Sequence, residues 1–238
     1  MLKVQNLIGF GVGGSIAKTI SIFDVNDVAY SSNADGGGST ITVPNGVIAG
    51  DVIIVRDLIC AGTLPSAVTP SGFTLDSNLS FSNTNQARGT ILHKIATGSE
   101  GGTTLTLMAT APASDDITSK ELLIVRGSLP ITAVGVSTPN TQGTSGNPNA
   151  QNVAASGGVA PLIVLGAYSD AIDGPSLVSA GSVGTRSFSP AKDAEVSGYA
   201  GSYLAYKIYN SSPADVSIDM NDEGNVNLLQ SLYMQFTM

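Results

Sequence analysis

The sequence predicts an all-β protein, an antiparallel β-sandwich built from two similar halves with an N-terminal arm. Three observations lead there. Charged residues make up 12% of the chain and hydrophobic ones 42%, with 28 glycines and 11 prolines; the chain is short of the Glu, Lys, Leu and Arg that stabilise exposed helical faces. Apolar residues come as short branched runs or in strict alternation, bounded by Gly, Pro, Asn and Ser. The order of these segments also occurs twice, on either side of Glu121-Leu122-Leu123-Ile124-Val125-Arg126-Gly127.

Taken in order, residues 1–22 differ from the rest of the chain and are assigned to the arm. Gly9-Phe10-Gly11-Val12-Gly13-Gly14 spells a G-x-G-x-x-G pattern, with Asp24 downstream. A dinucleotide site needs that turn between a strand and a helix. Ser15 to Ile22 has room for barely two helical turns, and Thr19 to Phe23 looks like a β segment, so the motif lacks its context. The apolar, glycine-rich segment with Leu7, Ile8 and Phe10 is read instead as an attachment arm whose backbone can approach a partner closely.

Residues 23–238 are read as a single sandwich domain, with halves of about 23–127 and 128–238. Ser21 to Phe23 and Asp27 to Tyr30 open it, and Ser39 to Val43 alternates before the Pro44-Asn45-Gly46 turn. Asp51-Val52-Ile53-Ile54-Val55 is continuously apolar after its Asp, which predicts a strand deep in a sheet. A turn-rich loop leads to Phe73-Thr74-Leu75, then Gly89 to Ile95, a Gly101-Gly102 turn and the alternating Thr103 to Met108. The polar stretch Thr138 to Ala150 fits an exposed β connection better than a linker, because the plan restarts after it. Ala160 to Ala167 matches Gly50 to Val55, Gly201 to Ile208 matches Gly89 to Ile95, and Ala214 to Met220 matches Thr103 to Met108. Asn227 to Phe236 closes the second half as Glu121 to Gly127 closes the first, so the halves are expected to share one core.

Gly50-Asp51, Pro70-Ser71-Gly72-Phe73, His93-Lys94-Ile95, and Val125-Arg126-Gly127 with Pro130-Ile131 resemble a family found in bacteriophage and prophage genomes. Its members carry Gly-Asp before an apolar strand, Pro-x-Gly-aromatic, Tyr-Lys-(Val/Ile), and an apolar-Arg-Gly segment with a nearby Pro-Ile. The resemblance spans roughly residues 40–238. It implies a jelly-roll-like sandwich in a virion structural protein, such as a capsid-decoration, head-fibre or tail-associated subunit located in the virion. His93 departs from the usual Tyr, which Tyr206 keeps in the second half. The family supplies no catalytic residues, and its implied partners are other capsid or tail proteins and further copies of the chain. A receptor-binding or carbohydrate-binding tail-fibre module, with a host glycan as partner, is the alternative.

Composition narrows the remaining classes. A net charge of −8 with ten Lys and Arg is wrong for a nucleic-acid surface. No run reaches the ~18 apolar residues of a membrane span, and Met1 to Val4 makes a poor secretory signal. The lone cysteine, Cys60, cannot form an internal disulfide and is read as a buried thiol. His93, the single histidine, is read as a packed or cross-strand residue, with Asp51 as one open partner in space. Among the acidic clusters, Asp115-Asp116, Asp170 with Asp173, and Asp219-Met220-Asn221-Asp222-Glu223-Gly224, the last gathers oxygen ligands before a glycine. Asp219, Asp222 and Glu223 are therefore weak calcium candidates, although EF-hand spacing is absent and a solvated turn is the plainer reading. Paired acids also serve glycoside hydrolysis, but the chain has no Trp and 5% aromatics, which weakens sugar-stacking and cleft chemistry alike. The expectation is a non-enzymatic protein with no cofactor. Arg56 and Arg126 each follow an apolar run and are expected to emerge at sheet ends, where Arg pairs carboxylates or caps loop carbonyls. Arg126 would then fix the crossover into the second half.

Overall fold

The computed structural model describes residues 18–30, 38–82, 86–112, 117–136, 140–142, 151–153, 162–169, 176–180, 189–196, 200–208, 216–221 and 226–238. Within them every regular element is a strand, and every strand pairing is antiparallel. The first half contributes β1 (Ile20–Tyr30), β2 (Thr40–Thr42), β3 (Val52–Ala61), β4 (Thr74–Ser82), β5 (Gln86–Ile95), β6 (Thr104–Thr106) and β7 (Ile117–Gly127). The remainder contributes β8 (Ala133–Val136), β9 (Asn140–Gln142), β10 (Gln151–Val153), β11 (Leu162–Ser169), β12 (Ser176–Ala180), β13 (Ser189–Val196), β14 (Ala200–Ile208), β15 (Val216–Asn221) and β16 (Val226–Thr237).

Five strands form one sheet in the order β1-β7-β3-β5-β4. β3 occupies its centre because its apolar run suits burial on both faces, and Val52 through Ile59 are all buried. β7 pairs with β3 in a register that sets Val52 opposite Val125 and Cys60 opposite Ile117. β1 is one strand rather than two segments, bent by a bulge between Ile22 and Asp24. β1 thus starts at Ile20, inside the 1–22 segment. A six-stranded sheet has the order β13-β14-β11-β16-β8, with β9 also paired to β16. Part of the polar connection after Thr138 is therefore sheet: Asn140 to Gln142 lie opposite Ser231 to Leu229.

Strand alternation sorts the core into two layers. Val52, Ile54, Ile91, Leu123 and Val125 on one face of the five-stranded sheet pack with Leu232, Met234 and Phe236 of β16. The two large sheets meet there, with β16 over β4 and β5, and β13 over β1 and β7. On the opposite face Ile53, Val55, Leu92, Leu122 and Ile124 pack under Ile41, Val43, Val47 and Leu107. This second layer is capped by the β2–β6 pair. A separate three-stranded sheet has the order β10-β15-β12.

Arg56 departs from expectation. It lies within β3, fully buried, and not at a sheet end. The apolar run continues past it as Leu58 and Ile59, both buried; a charge inside an apolar strand marks a strand end only if nothing opposite neutralises it.

Candidate functional site

The segments that carry the family resemblance converge at one end of the five-stranded sheet, where β3 and β4 begin and β5 and β7 end. Arg126, the last charged residue of β7, reaches across to Asp51. Its Nε donates to Asp51 Oδ1 at 2.8 Å, and one terminal nitrogen donates to Oδ2 at 2.6 Å and to the Gly46 carbonyl at 2.8 Å. Asp51 Oδ2 also accepts the Ile48 amide at 2.9 Å. Phe23 of β1 stacks on the same guanidinium, 3.7 Å from the ring centroid. The hydrogen bonds to Asp51 raise the Arg126 pKa above its ordinary value, against the opposing effect of burial. Arg126 thus pairs a carboxylate and caps a loop carbonyl, as anticipated.

Gly50 belongs to the same clamp. Its φ of +87° is left-handed, and a β-carbon there would lie 2.6 Å from Pro130 Cβ. Its carbonyl accepts the Ile131 amide at 3.0 Å. Gly127 is also confined, since a β-carbon there would clash with the Leu129 carbonyl oxygen. Gly-Asp, Arg-Gly and Pro-Ile are therefore parts of one lock that turns the chain out of β7. A shallow cavity of about 150 Å³ borders this lock, with Ile48 and Leu129 exposed on its rim.

The Pro-x-Gly-aromatic and Lys-Ile segments build a second lock beside it. Lys94 Nζ lies 3.0 Å from Glu100 Oε1 and 5.8 Å from the centroid of Phe73. Glu100 accepts the amides of Thr97, Gly98 and Ser99 and the Thr97 hydroxyl. Burial opposes the charge of Glu100, but the Thr97 amide, Lys94, the Thr97 hydroxyl and the Gly98 amide outweigh it and hold the pKa down at about 2. An open cleft of about 470 Å³ runs along this lock, lined by Pro70, Phe73, Lys94, Glu100, Thr104 and Thr106.

Deeper in the sheet, two dipeptides of the same charge order, basic then acidic, face each other on antiparallel strands. β3 carries Arg56-Asp57 and β7 carries Lys120-Glu121, and the antiparallel register pairs Arg56 with Glu121 and Asp57 with Lys120. Alternation sends the two pairs to opposite faces. Arg56 donates to both Glu121 oxygens at 3.1 and 3.2 Å, with both side chains fully buried. On the other face Lys120 Nζ stands 3.3 Å from Asp57 Oδ1, again with both side chains fully buried. Arg88 of β5 places a terminal nitrogen 3.7 Å from Asp57 Oδ2, and its other terminal nitrogen donates to the Pro65 carbonyl. Burial raises the Asp57 pKa against the pull of Lys120 and Arg88, and burial lowers the pKa of Lys120 and of Arg88. Neither Asp57 oxygen, nor Lys120 Nζ, nor Thr118 Oγ1 has a hydrogen-bond partner among the described residues. The Lys120–Asp57 approach is a contact between charges without hydrogen-bond alignment.

His93 is a cross-strand residue. Its Nδ1 meets Asp76 Oδ1 at 2.9 Å and Oδ2 at 2.7 Å. Asp76 sits at the β4 bulge between Leu75 and Ser77, which turns it toward β5. The open partner Asp51 is engaged by Arg126 instead. No hydrogen bond to His93 Nε2 occurs among the described residues.

Leu7, Ile8 and Phe10 of the arm, the Gly9 to Gly14 motif, Asp115, Asp116, Asp170, Asp173, Asp222 and Glu223 lie outside the described residues. Asp219 lies in β15 opposite Ser179, and Cys60 lies in β3 opposite Ala87 and Ile117. Among the described residues no three His, Cys, Asp or Glu side chains converge as a metal-binding group. Sequence reasoning missed Asp57, Arg88, Lys120, Asp76 and Glu100. The Arg56-Asp57 and Lys120-Glu121 dipeptides, each adjoining an apolar run, were the available signal for the first cluster. Set beside known proteins, the chain matches no protein-family model, no curated protein and no solved structure.

Proposed function

We propose that the chain is a non-enzymatic structural subunit of a bacteriophage particle, a capsid-decoration or head-fibre type of protein. In this reading it is a jelly-roll-like sandwich of two similar halves that binds a symmetric particle surface as one of many copies. The observation that carries it is the convergence of the phage-like motif segments into two interlocking clamps at one sheet end. Residues that hold a turn suit a protein selected for rigidity. The strand orders support the two-half reading. β4-β5-β3-β7 in the first large sheet corresponds to β13-β14-β11-β16 in the second, with β1 matched by β8 and β9.

Attachment is assigned to the arm, with Leu7, Ile8 and Phe10 as its apolar contacts. Removing residues 1–17 leaves β1 and its pairing with β7 intact. The shortened chain should fold with an unchanged circular dichroism spectrum yet fail to enter particles in an assembly assay. Undiminished incorporation would refute the arm's role.

A second reading, a receptor-binding tail-fibre module, draws on the cleft beside Phe73, where Thr104 and Thr106 offer hydroxyls near Lys94. A glycan array with no retention above background, using the intact chain, would dispose of it.

A further inference from the structure

Buried ion pairs persist when hydrogen bonds offset the loss of water around each charge. The Asp57–Lys120 pair is close but lacks hydrogen bonds of good alignment. Both side chains are fully buried, Nζ and Oδ1 are 3.3 Å apart, and no described residue completes the hydrogen bonding of either group. Their strands are held rigidly by the ladder that sets the two residues directly opposite one another. The 3.3 Å approach of Nζ to Oδ1 holds the nitrogen against the carboxyl group whose Cγ it would attack, with both groups fixed by the sheet.

We propose that Lys120 and Asp57 join in an intramolecular isopeptide bond between β3 and β7, formed by the folded chain without an added reagent. A proton first passes from the ammonium to Oδ1 within the pair, giving an amine and a carboxylic acid. Burial favours this neutral form at both ends, raising the pKa of Asp57 and lowering that of Lys120. The amine nitrogen then attacks Asp57 Cγ. Negative charge develops on Oδ2, which faces the Arg88 guanidinium at 3.7 Å. Collapse expels Oδ1, protonated a second time by the nitrogen, as water. One C–N bond forms, one C–O bond breaks, and one water leaves with no change of oxidation state.

The contrast with Lys94 and Glu100 shows why only one Lys–carboxylate pair is chosen. That pair is as close, at 3.0 Å, but Lys94 is 20% exposed. Glu100, with its pKa near 2 and its three backbone donors, stays an anion and a poor electrophile. Amide formation at Lys120 removes two buried charges and closes a loop of about 60 residues around β4, β5 and β6. Such a tie would stiffen the sheet whether or not the chain belongs to a particle, so the proposal is independent of the function above.

The test is the intact mass of the purified full-length chain under denaturing conditions, with peptide mapping of the same sample. The expected mass is about 18 Da below that of the sequence, one water lost, after allowing for any removal of Met1. A branched tryptic peptide should join the segments containing Asp57 and Lys120. Asp57→Ala and Lys120→Arg chains should run at their full sequence masses. A wild-type chain at full sequence mass, or a deficit that persists in Lys120→Arg, would overturn the proposal. The wild-type measurement decides the matter even if neither variant folds.

Discussion

Replacing Glu100 by Gln removes one charge from a turn whose donors are arranged around it. In the folded protein Glu100 titrates at about 2 rather than at 4.5. A shift of that size corresponds to at most about 3 kcal/mol, and to roughly half of that once screening by the solvent near this turn is allowed for. The lowered pKa sets the sign. The contribution is fully present above about pH 4.5, and it is lost as pH falls through the folded value near 2. Urea unfolding of the wild type and of Glu100→Gln at several pH values measures it. At pH 7 the variant should be less stable by about 1.5 kcal/mol, and the gap should narrow steadily as pH is lowered from 4.5 toward 2. A gap that stays constant over that range would show that the charge of Glu100 does not stabilise the turn.

Other expected outcomes concern the neighbouring clamp and the core. Arg126→Lys should lose about 1–3 kcal/mol in the same urea assay, because a lysine cannot reproduce the two-pronged contact with Asp51 together with the Gly46 carbonyl. Equal stability of the two chains would mean that charge alone suffices there. Gly50→Ala should lose about 1–3 kcal/mol or more through the left-handed backbone and the clash with Pro130; a neutral effect by calorimetry would show that the 127–131 turn is free to shift. Phe236→Ala should cost about 3–5 kcal/mol, since Phe236 is buried where β16 packs on Ile54 and Val125. Loss of less than about 1 kcal/mol would argue that the two large sheets do not depend on that packing.

Much of the fold was legible because the apolar pattern had a single solution. Val52 to Val55 and Leu122 to Val125 are branched, continuous and flanked by turn residues, and they became adjacent central strands. Weaker patterns were missed. Ser77 to Ser82 belongs to β4 and Ser189 to Val196 to β13, but their polar composition gives alternation little contrast. The Arg126 clamp was legible in kind, because an Arg at the end of an apolar strand needs an anion or carbonyls. Its partner depended on register, which sequence does not supply. Arg56 was misplaced for the same reason. Its neutralising Glu121 is distant in sequence, and only the β3–β7 pairing makes a buried charge tolerable at mid-strand. Asp76 was hidden by the bulge that aims it at His93.

The proposed virion role is tested most directly by quantitative mass spectrometry of purified particles from a host carrying this gene. The count of this chain should be a fixed multiple of the shell's symmetry, in constant ratio to the major capsid protein from one preparation to the next. Absence from particles, with the chain abundant in the surrounding lysate, would contradict a structural place in the virion.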